Sequence, residues 1–327
     1  MKAVLFDTPG GPENLYIGQA PDPTPGPGQV LVYVAASALN RADLLQREGK
    51  YPVPPGANPI LGLELAGTII ELGEGVTDFE IGDNVCALMN GGGYAQLAVV
   101  DEQMLLRLPR NMSFTKAAAI PEAFLTAFQA LHWLGEMKKG DNVLIHAGAS
   151  GVGTAAIQLV KLAGATPIIT ASAGKHEAVK NLGATRCIDY RTEDFAEAVL
   201  DETDGKGADV ILDFVGGPYF AQNLNALALE GRMVCLGFLG GVQVKEVSLA
   251  MILRKRLKII GTTLRSRSPE YKQQLTADFR EKIWPHFASR DLRAFVDTIY
   301  DWEEVQEAHT YMASNANLGK IVITVGE

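Results

Sequence analysis

Short apolar strand patterns alternate with helical patterns from about Ala117 onward. The strand patterns cover residues 142–146, 167–170, 187–189, 210–214, 233–236 and 257–260. Helical patterns separate the first five of them, at residues 151–162, 175–182, 193–200 and 219–229. Parallel strands need helical crossovers, and because helices cover both faces of the sheet, such strands are continuous apolar runs. The alternation therefore predicts an α/β fold containing a Rossmann-type doubly wound parallel sheet.

The turn after the first of these strands is rich in glycine and reads HAGASGVG over residues 146–153. Gly148 and Gly153 match the outer glycines of the dinucleotide-binding pattern G-x-G-x-x-G, and Ser150 replaces the middle one. The backbone N–H groups of Ser150, Gly151 and Val152 would face a pyrophosphate at the helix N-terminus. A turn of small residues without a ligand is the alternative, but the surrounding strand–helix units favour cofactor binding.

The residues after the second strand indicate which nicotinamide cofactor binds. An NAD site usually carries an acidic residue there, about 20 residues after the glycine turn, to bind the ribose hydroxyls. Here the sequence is TASAGK over residues 170–175, which offers Ser172 and Lys175 instead of a carboxylate. A hydroxyl and a cation suit a 2′-phosphate, so NADPH is predicted. The alternative is that Ser172 only caps a helix and Lys175 is solvated.

The first part of the chain has closely spaced strand patterns, at residues 30–38, 65–72 and 85–88, with Gly/Pro-rich turns between them. This spacing predicts a small barrel-like domain. The tail begins polar and helical near Ser266 and ends in a helix at 305–313 and a strand at 320–325. The terminal strand is expected to return to the first domain. Residues 122–265 would then form a cofactor domain inserted into a β-rich domain of residues 1–121 and 266–327, and 327 residues are ample for two domains.

Charge and cysteine content narrow the partners and the location. The net charge of −9 makes a nucleic-acid partner unexpected. Three scattered cysteines form no disulfide framework and no metal knuckle, which fits a reducing compartment. The amino terminus has no signal-peptide pattern, and no apolar run reaches the roughly 18 residues of a membrane span. A cytoplasmic protein without a membrane partner is therefore expected.

Zinc ligands are missing where a zinc alcohol dehydrogenase would need them. Catalytic zinc takes three protein ligands from Cys, His and carboxylate side chains. The β-rich first part contains no histidine, and its single cysteine is Cys86. A site made mostly of Asp and Glu stays possible but would be a poor zinc site, and the absence of a cysteine cluster argues against structural zinc. The sequence predicts a reaction without a metal.

Several segments together resemble one known family. LGLELAG at 61–67 is similar to the G-H-E-x-x-G segment of zinc alcohol dehydrogenases, with Leu63 where the zinc histidine would be. ALNRAD at 38–43 is similar to the segment of the first zinc cysteine, with Asn40 in its neighbourhood. AAAIP at 117–121, LTA at 125–127 and the glycine turn also match. The chain thus resembles the zinc-free quinone oxidoreductase (zeta-crystallin-like) branch of the medium-chain dehydrogenase/reductase superfamily. Within that branch, four segments resemble the tumour-suppressor-inducible quinone oxidoreductases. They are FDTPGGPENL at 6–15, AASALNRADL at 35–44, LRSR at 264–267 and GKIV at 319–322.

The resemblance implies a GroES-like catalytic domain, a Rossmann domain that binds NADPH, and a homodimer joined through the cofactor domains. It also implies roles for individual residues. Those expected on the cofactor are Thr126, Gly148, Ser150, Gly151, Val152, Gly153, Ser172, Lys175, Tyr190, Phe238 and Leu264, with Asn317 as a weaker transfer. Those expected near the substrate are Asn40, Asp43 and Tyr51. Gly174 stands where relatives often carry a longer polar residue, so the 2′-phosphate contacts are expected to be less complete than the pyrophosphate contacts.

Three of these residues also have purely structural interpretations. Tyr51 precedes Pro52 and could anchor a loop, since tyrosine is commonly half-buried. Asp43 lies at a helix start and could simply interact with the helix dipole. Tyr190 could be a core aromatic residue, although it follows a strand at the sheet edge where ligands bind.

With neither a metal nor an obvious acid–base pair, the predicted chemistry is positioning of a hydride donor and an acceptor. A quinone suits this limited set of groups because it accepts hydride readily, with Tyr51 or Asn40 hydrogen-bonding the developing oxyanion. The alternatives are an enone or 2-alkenal reductase, for which no proton donor is evident in the sequence, and a non-catalytic NADPH-binding redox sensor.

Overall fold

The computed structural model describes residues 1–245 and 247–326 of the chain. The chain divides into two compact units. Unit 1 contains Met1–Leu125 and the segment that begins at Arg265, and unit 2 is Thr126–Leu264. Within the described residues, none of the helices combines the length and the apolar character that crossing a bilayer requires.

The amino-terminal part of unit 1 consists mainly of short strands. They are β1 (Lys2–Leu5), β2 (Tyr16–Gln19), β3 (Gln29–Ala38), β4 (Glu64–Leu72), β5 (Asn84–Leu88), β6 (Leu97–Asp101) and β7 (Leu105–Arg107). Three helices interrupt or follow them: α1 (Arg41–Arg47), α2 (Phe114–Ala117) and α3 (Pro121–Phe128). Strand β6 alternates buried and partly exposed residues, as a half-covered strand does, and β3 is buried along most of its length.

Unit 2 repeats strand and helix in the predicted order through its first five strands, and it has a helix before the sixth strand that the sequence pattern did not predict. Its strands are β8 (Asn142–Ile145), β9 (Thr166–Thr170), β10 (Arg186–Ile188), β11 (Ala208–Asp213), β12 (Leu227–Cys235) and β13 (Lys258–Gly261). Its helices are α4 (Gly151–Leu162), α5 (His176–Leu182), α6 (Phe195–Glu202), α7 (Gly217–Ala226) and α8 (Leu249–Lys255). A π-helical turn, Gln129–Leu134, precedes β8.

The six strands of unit 2 are all parallel and lie in the order β10-β9-β8-β11-β12-β13. This is the 3-2-1-4-5-6 order of the dinucleotide-binding fold. The central strands β8, β9 and β11 are buried along nearly their whole length because helices cover both faces. The predicted α/β fold class with a Rossmann sheet is confirmed.

The carboxyl-terminal segment completes unit 1. It contains α9 (Pro269–Lys282), α10 (Pro285–Ala288), β14 (Val296–Asp301), α11 (Val305–Ala313) and β15 (Lys320–Thr324). Strand β15 pairs antiparallel with β3, with Val322 opposite Ala38 and Thr324 opposite Ala36. The resulting seven-stranded sheet has the order β14-β15-β3-β4-β5-β7, and β6 also pairs with β3. Residues from the two ends of the chain therefore share one sheet, with the Rossmann sheet inserted between them in sequence.

Candidate functional site

The glycine-rich turn of unit 2 lies between β8 and α4 and has no room for larger residues. A Cβ added to Gly148 would lie 2.6 Å from Cβ of Ile169. A Cβ added to Gly153 would lie 2.4 Å from the carbonyl oxygen of Ala147. The two glycines let the turn pack against β9 and let α4 begin directly on the turn, as close approach of a dinucleotide requires.

The backbone N–H groups at the start of α4 are those that would meet a pyrophosphate. Ser150 N donates to the Ala147 carbonyl at 2.9 Å, and Gly153 N donates to Ser150 Oγ at 3.1 Å. Within residues 1–245 and 247–326, the N–H groups of Gly151 and Val152 make no such bond. Of the three backbone N–H groups predicted to face a pyrophosphate, that of Ser150 is therefore already bonded, and its side chain caps the helix. The N–H groups of Gly151 and Val152 are available to an anion.

The polar residues predicted for the adenosine end lie at the carboxyl edge of the parallel sheet. Ser172 and Lys175 follow β9, and Tyr190 follows β10, whose Ile188 pairs with Thr170 of β9. Ser172 precedes a short 3₁₀ turn but makes no side-chain capping bond, so capping does not occupy its hydroxyl. Tyr190 is 44% exposed, which does not fit a core aromatic residue.

Arg191 and Gly174 lie at the same edge of the sheet. The Arg191 guanidinium lies 5.7 Å from the centroid of the Tyr190 ring and adds a second cation to that of Lys175. A Cβ on Gly174 would meet no atom within 4 Å, so the space that a longer side chain would fill is open.

The remaining predicted cofactor residues differ in burial. Phe238 is 53% exposed and Leu264 is buried. Thr126 Oγ1 is buried and, in the part of the chain that the structure describes, finds no hydrogen-bond partner. An unsatisfied buried hydroxyl is unusual in a native structure and is explained if a bound group supplies the missing partner. Asn317, in unit 1, donates to the Gly319 carbonyl at 2.9 Å.

A buried ion pair joins two strands of unit 1. Lys320 Nζ, at the start of β15, lies 2.7 Å from Oε1 of Glu64, at the start of β4. Lys320 also donates to the Leu39 carbonyl at 2.7 Å and to Asn40 Oδ1 at 2.6 Å. Glu64 accepts from Asn40 Nδ2 and, through its second oxygen, from the backbone N–H of Glu122, each at 2.9 Å. Every donor of the ammonium and both carboxylate oxygens are engaged, which is the condition under which a buried ion pair is tolerated.

Asn40 and Asp43 begin helix α1 and are held by this network. Asp43 is buried and accepts from Asn40 N at 2.8 Å and from Gly62 N at 3.0 Å. Burial raises the pKa of Asp43 to about 6, and the two backbone donors act in the opposite direction. Asp43 therefore attaches α1 to the loop before β4. A direct catalytic part for Asn40 and Asp43 stays a prediction.

Tyr51 lines a cavity of about 360 Å³ that lies wholly within unit 1. Most of the lining side chains are apolar, among them Phe6, Val53 and Ile60. Burial raises the pKa of the half-buried Tyr51 hydroxyl, with the Glu122 charge adding to this and Arg265 opposing it. Tyr51 thus keeps a neutral hydroxyl that is able to donate a hydrogen bond, and the residue is part of the wall of a largely apolar cavity.

Arg265 packs against the same tyrosine. Its guanidinium carbon is 5.5 Å from the centroid of the Tyr51 ring. Arg265 Nε and Nη2 both donate to the Asn90 carbonyl, at 3.1 and 2.9 Å. Its Nη1 is buried and has no acceptor in the described residues. A buried guanidinium N–H without an acceptor costs free energy unless a ligand or water accepts from it.

Glu122 lies in the first turn of α3 and remains half-buried. Its pKa is raised to about 8, mainly because burial disfavours the charged form and secondly because the Glu64 charge is close. Lys320 and Arg265 oppose the shift, and Asp43 adds to it. At neutral pH this carboxyl is therefore mostly protonated, which is rare for a glutamate.

Sequence reasoning did not recognise Glu64, Glu122, Arg265 or Lys320 as functional candidates. Glu64, Arg265 and Lys320 appeared only within segments that resemble the family. One signal was present: Glu64 and Lys320 each begin a strand that is otherwise largely apolar. A charged residue at such a position needs a buried partner, but the pattern does not say which one.

The described residues contain no group of three or more His, Cys, Asp or Glu side chains arranged to hold a metal ion. Leu63, at the position of the zinc histidine in the similar segment, is buried.

Comparison with protein families and curated sequences places the chain among known oxidoreductases. Residues 26–110 match the alcohol dehydrogenase GroES-like domain, and residues 151–280 match the zinc-binding dehydrogenase family. The human synaptic vesicle membrane protein VAT-1 homolog is 32% identical over 94% of this chain and 81% of its own length. The putative inactive phenolphthiocerol synthesis polyketide synthase type I Pks1 of Mycobacterium tuberculosis is 36% identical over 91% of this chain. The chain spans only 18% of that synthase.

Solved structures with the same fold include reductases of different kinds. A quinone oxidoreductase of Pseudomonas syringae pv. Tomato DC3000 is 32% identical with a TM-score of 0.87, covering 99% of both chains. The CurK enoyl reductase is 30% identical with a TM-score of 0.87, again over 99% of both. An NAD-dependent alcohol dehydrogenase is 32% identical with a TM-score of 0.88 over 100% of both. Since these proteins are named for different activities, the residues of this chain must decide between the possibilities.

Removal of the buried lysine should destabilise unit 1 strongly. Lys320→Met should lower the free energy of unfolding by about 3–5 kcal/mol, because it leaves the Glu64 carboxylate buried without its charge partner. Denaturant titration followed by tryptophan fluorescence measures the loss. Lys282→Met is the control, since Lys282 pairs with Asp278 on the surface at 3.4 Å and should cost at most about 1 kcal/mol. Equal losses in the two variants would contradict the structural importance of the Lys320–Glu64 pair.

Proposed function

We propose that this chain, which belongs to the zinc-free quinone oxidoreductase branch of the medium-chain dehydrogenase/reductase superfamily, is an NADPH-dependent quinone reductase. The observation that carries the proposal is the largely apolar cavity of unit 1, which has Tyr51 among its lining residues. A largely apolar space with a hydrogen-bond donor suits a flat molecule with carbonyl oxygens. Similarity to a solved quinone oxidoreductase at 32% identity supports the same acceptor class.

The cofactor would be held by residues of unit 2. Gly151 and Val152 would donate to the pyrophosphate, while Gly148 and Gly153 keep space for it. Ser172 and Lys175, with Tyr190, would surround the 2′-phosphate and its ribose. When bound, NADPH supplies the hydride of the reduction.

The residues of unit 1 would act on the acceptor. Tyr51 would orient a quinone carbonyl and donate a hydrogen bond as negative charge develops on its oxygen. The open N–H of Arg265, close to the Tyr51 ring, would add positive potential there. The apolar cavity walls would keep water from the reacting carbons. Asn40 and Asp43 would position helix α1, which precedes Tyr51 in the chain.

A second candidate function is reduction of an enone or 2-alkenal. Such a reaction needs a proton at the carbon next to the carbonyl after hydride has added to the far carbon. Glu122, with its raised pKa, is a protonated group that the sequence did not reveal. Similarity to the CurK enoyl reductase supports the same candidate. A non-catalytic redox sensor would bind NADPH but turn over neither class.

A homodimer through unit 2 is part of the proposal. Strand β13 is an edge of the parallel sheet, and Ile259 on it is exposed. Leu249 and Leu253 of the neighbouring helix α8 are exposed as well. An uncovered strand edge beside exposed apolar side chains suits pairing with a second copy of the chain. Analytical ultracentrifugation measures the resulting mass directly.

The acceptor class is tested by NADPH consumption against a panel of ortho- and para-quinones and 2-alkenals. We expect turnover with quinones that survives prolonged treatment with a chelator, because the residues that the structure describes offer no zinc site. Turnover confined to alkenals would favour the second candidate. Absence of turnover together with tight NADPH binding would favour the sensor, and loss of activity on chelation that zinc restores would contradict metal independence.

The cofactor preference should depend on Lys175. Lys175→Ala should raise the dissociation constant of NADPH roughly ten- to a hundredfold and hardly change that of NADH, since one charged phosphate contact contributes about 1.5–3 kcal/mol. Lys180→Ala, further along the same helix, removes an equal charge and should leave both constants unchanged. Fluorescence titration of the reduced cofactors measures them. Equal affinity of the unaltered protein for NADPH and NADH would refute the preference.

The part played by Tyr51 is tested by two substitutions. If the hydroxyl donates to the developing oxyanion, Tyr51→Phe should lower kcat. The loss of transition-state stabilisation should be smaller than the roughly 2.7–4 kcal/mol that an oxyanion donor contributes in acyl transfer, because a quinone needs less stabilisation. If Tyr51 only packs, Tyr51→Phe should be silent and Tyr51→Ala should raise KM. Tyr16→Phe removes an exposed hydroxyl and serves as the control. Unchanged kinetics in both Tyr51 variants would exclude Tyr51 from the site.

A further inference from the structure

A buried histidine begins the glycine turn of unit 2. His146 directly follows β8, and its side chain is completely buried. Its Nε2 lies 2.7 Å from Asn223 Oδ1, on α7, and its Nδ1 lies 3.0 Å from Thr170 Oγ1, at the end of β9. The ring also packs edge-on against Phe195 of α6 and Tyr219 of α7, with centroids 4.7 and 4.9 Å away. One side chain therefore joins the start of the turn to β9, α6 and α7.

The two hydrogen bonds determine which ring nitrogen carries the hydrogen. An amide oxygen only accepts, so Nε2 of His146 donates to Asn223 Oδ1, and Nδ1 accepts from the Thr170 hydroxyl. Burial lowers the pKa of His146, and the charge of Asp213 acts in the opposite direction. The ring is therefore neutral at pH 7, and each of its nitrogens is engaged by a different element of the fold.

The residue after this histidine has a strained backbone. Ala147 has a φ of 48°, a left-handed conformation that a residue with a Cβ adopts only at a cost in free energy. On its other side, Gly148 N donates to the Thr170 carbonyl at 3.0 Å. Thr170 is thus bonded to the turn twice, through its hydroxyl to His146 and through its carbonyl to Gly148. Ala147 is held in its conformation because both of its neighbours are attached to the end of β9.

The polar side chains around this histidine lower the stability of unit 2. Asn223 Nδ2 and Asp213 Oδ2 are buried, and neither finds a hydrogen-bond partner in residues 1–245 and 247–326. Buried polar atoms without a partner are uncommon in native proteins and destabilise them, whereas apolar side chains of similar shape would avoid that penalty. Stability alone therefore does not explain why hydrogen-bonding side chains occupy this place.

We propose that His146 is a positioning residue for the nicotinamide cofactor, and that its bonds to Thr170 and Asn223 hold the glycine turn in the shape that receives the pyrophosphate. This inference rests on the proposed cofactor function of unit 2 and names a residue that acts through the turn. The available N–H groups of Gly151 and Val152 come directly after the turn, so a change in the turn would move them relative to a bound anion.

This role predicts which properties change together when His146 is lost. The pyrophosphate is common to NADPH and NADH, so the affinities for both should fall by the same factor. Lys175→Ala, in contrast, should weaken NADPH alone. When the cofactor is present at saturation, kcat should be unchanged, because the turn contributes to cofactor binding and not to the chemical step.

The test is fluorescence titration of NADPH and NADH with the full-length protein and two variants. Thr170→Val keeps the side-chain shape and removes one hydrogen bond to His146, so both dissociation constants should rise roughly two- to tenfold. His146→Leu removes both hydrogen bonds and should raise both constants roughly five- to a hundredfold. With saturating NADPH and one good quinone, kcat should equal that of the unaltered protein in each variant.

A second substitution distinguishes positioning of the turn from a general loss of stability. Ala147→Gly removes the cost of the left-handed conformation, which glycine adopts freely. Alone, it should leave both dissociation constants nearly unchanged. Added to His146→Leu, it should lower both constants again by about fivefold, because the turn then reaches its binding shape without strain.

Thr203→Val is the matched control for Thr170→Val. The Thr203 hydroxyl is also buried in unit 2, donates to the Val199 carbonyl at 2.7 Å and accepts from Gly207 N at 2.8 Å. Thr203 precedes β11 and so lies at the amino edge of the parallel sheet, opposite the glycine turn. Its loss should lower the free energy of unfolding and leave the affinities for NADPH and NADH unchanged.

Unchanged cofactor affinity in Thr170→Val, or a failure of Ala147→Gly to restore affinity in His146→Leu, would overturn the role of His146 and leave the cofactor function standing. If thermal melting shows that His146→Leu does not fold, the effect of Ala147→Gly is measured in Thr170→Val instead. An unaltered protein that binds neither NADPH nor NADH would overturn the proposed cofactor function, and the positioning role with it.

Discussion

The buried ion pair between Lys320 and Glu64 is the interaction on which unit 1 depends. Lys320 begins the last strand, and Glu64 begins β4. Asn40 joins the pair from the start of α1, and the backbone N–H of Glu122 joins it from α3. Because two desolvated charges are tolerated only when all their hydrogen-bonding groups are satisfied, the pair requires these four segments to be in place together. The carboxyl-terminal segment is thereby tied to the amino-terminal part of the unit.

The same network determines the chemistry of its neighbours. The Glu64 charge, held beside α3 by its own partners, disfavours ionisation of Glu122. Burial raises the pKa of Tyr51, so its hydroxyl stays neutral at pH 7. Arg265 is fixed by two bonds to the Asn90 carbonyl and keeps one N–H without an acceptor. The charge of Glu64, which its partners fix in place, therefore adds to the effect of burial on the pKa of Glu122.

In unit 2 the corresponding constraint is close packing of the backbone around the glycine turn. Its cofactor turn depends on two positions where a Cβ would collide with the neighbouring strand or the turn itself. The backbone N–H groups left over at the start of α4 then provide an anion site that needs no charged side chain. Lys175 and Arg191 lie at the carboxyl edge of the sheet, where an NAD site usually has an acidic residue.

The sequence alone determined the features that depend on local spacing. Short stretches of sequence suffice to identify the six strands of unit 2, the glycine turn between β8 and α4, and the missing acidic residue near Lys175. This is because strand and helix periodicities and the conformational freedom of glycine act locally. Only the tertiary structure decided the group of Asn40, Glu64, Glu122, Arg265 and Lys320, whose members are scattered along the whole chain. Burial, pairing and the resulting pKa of Glu122 are properties of the folded surroundings, since desolvation and Coulomb interaction depend on distances in space and not on separation in sequence.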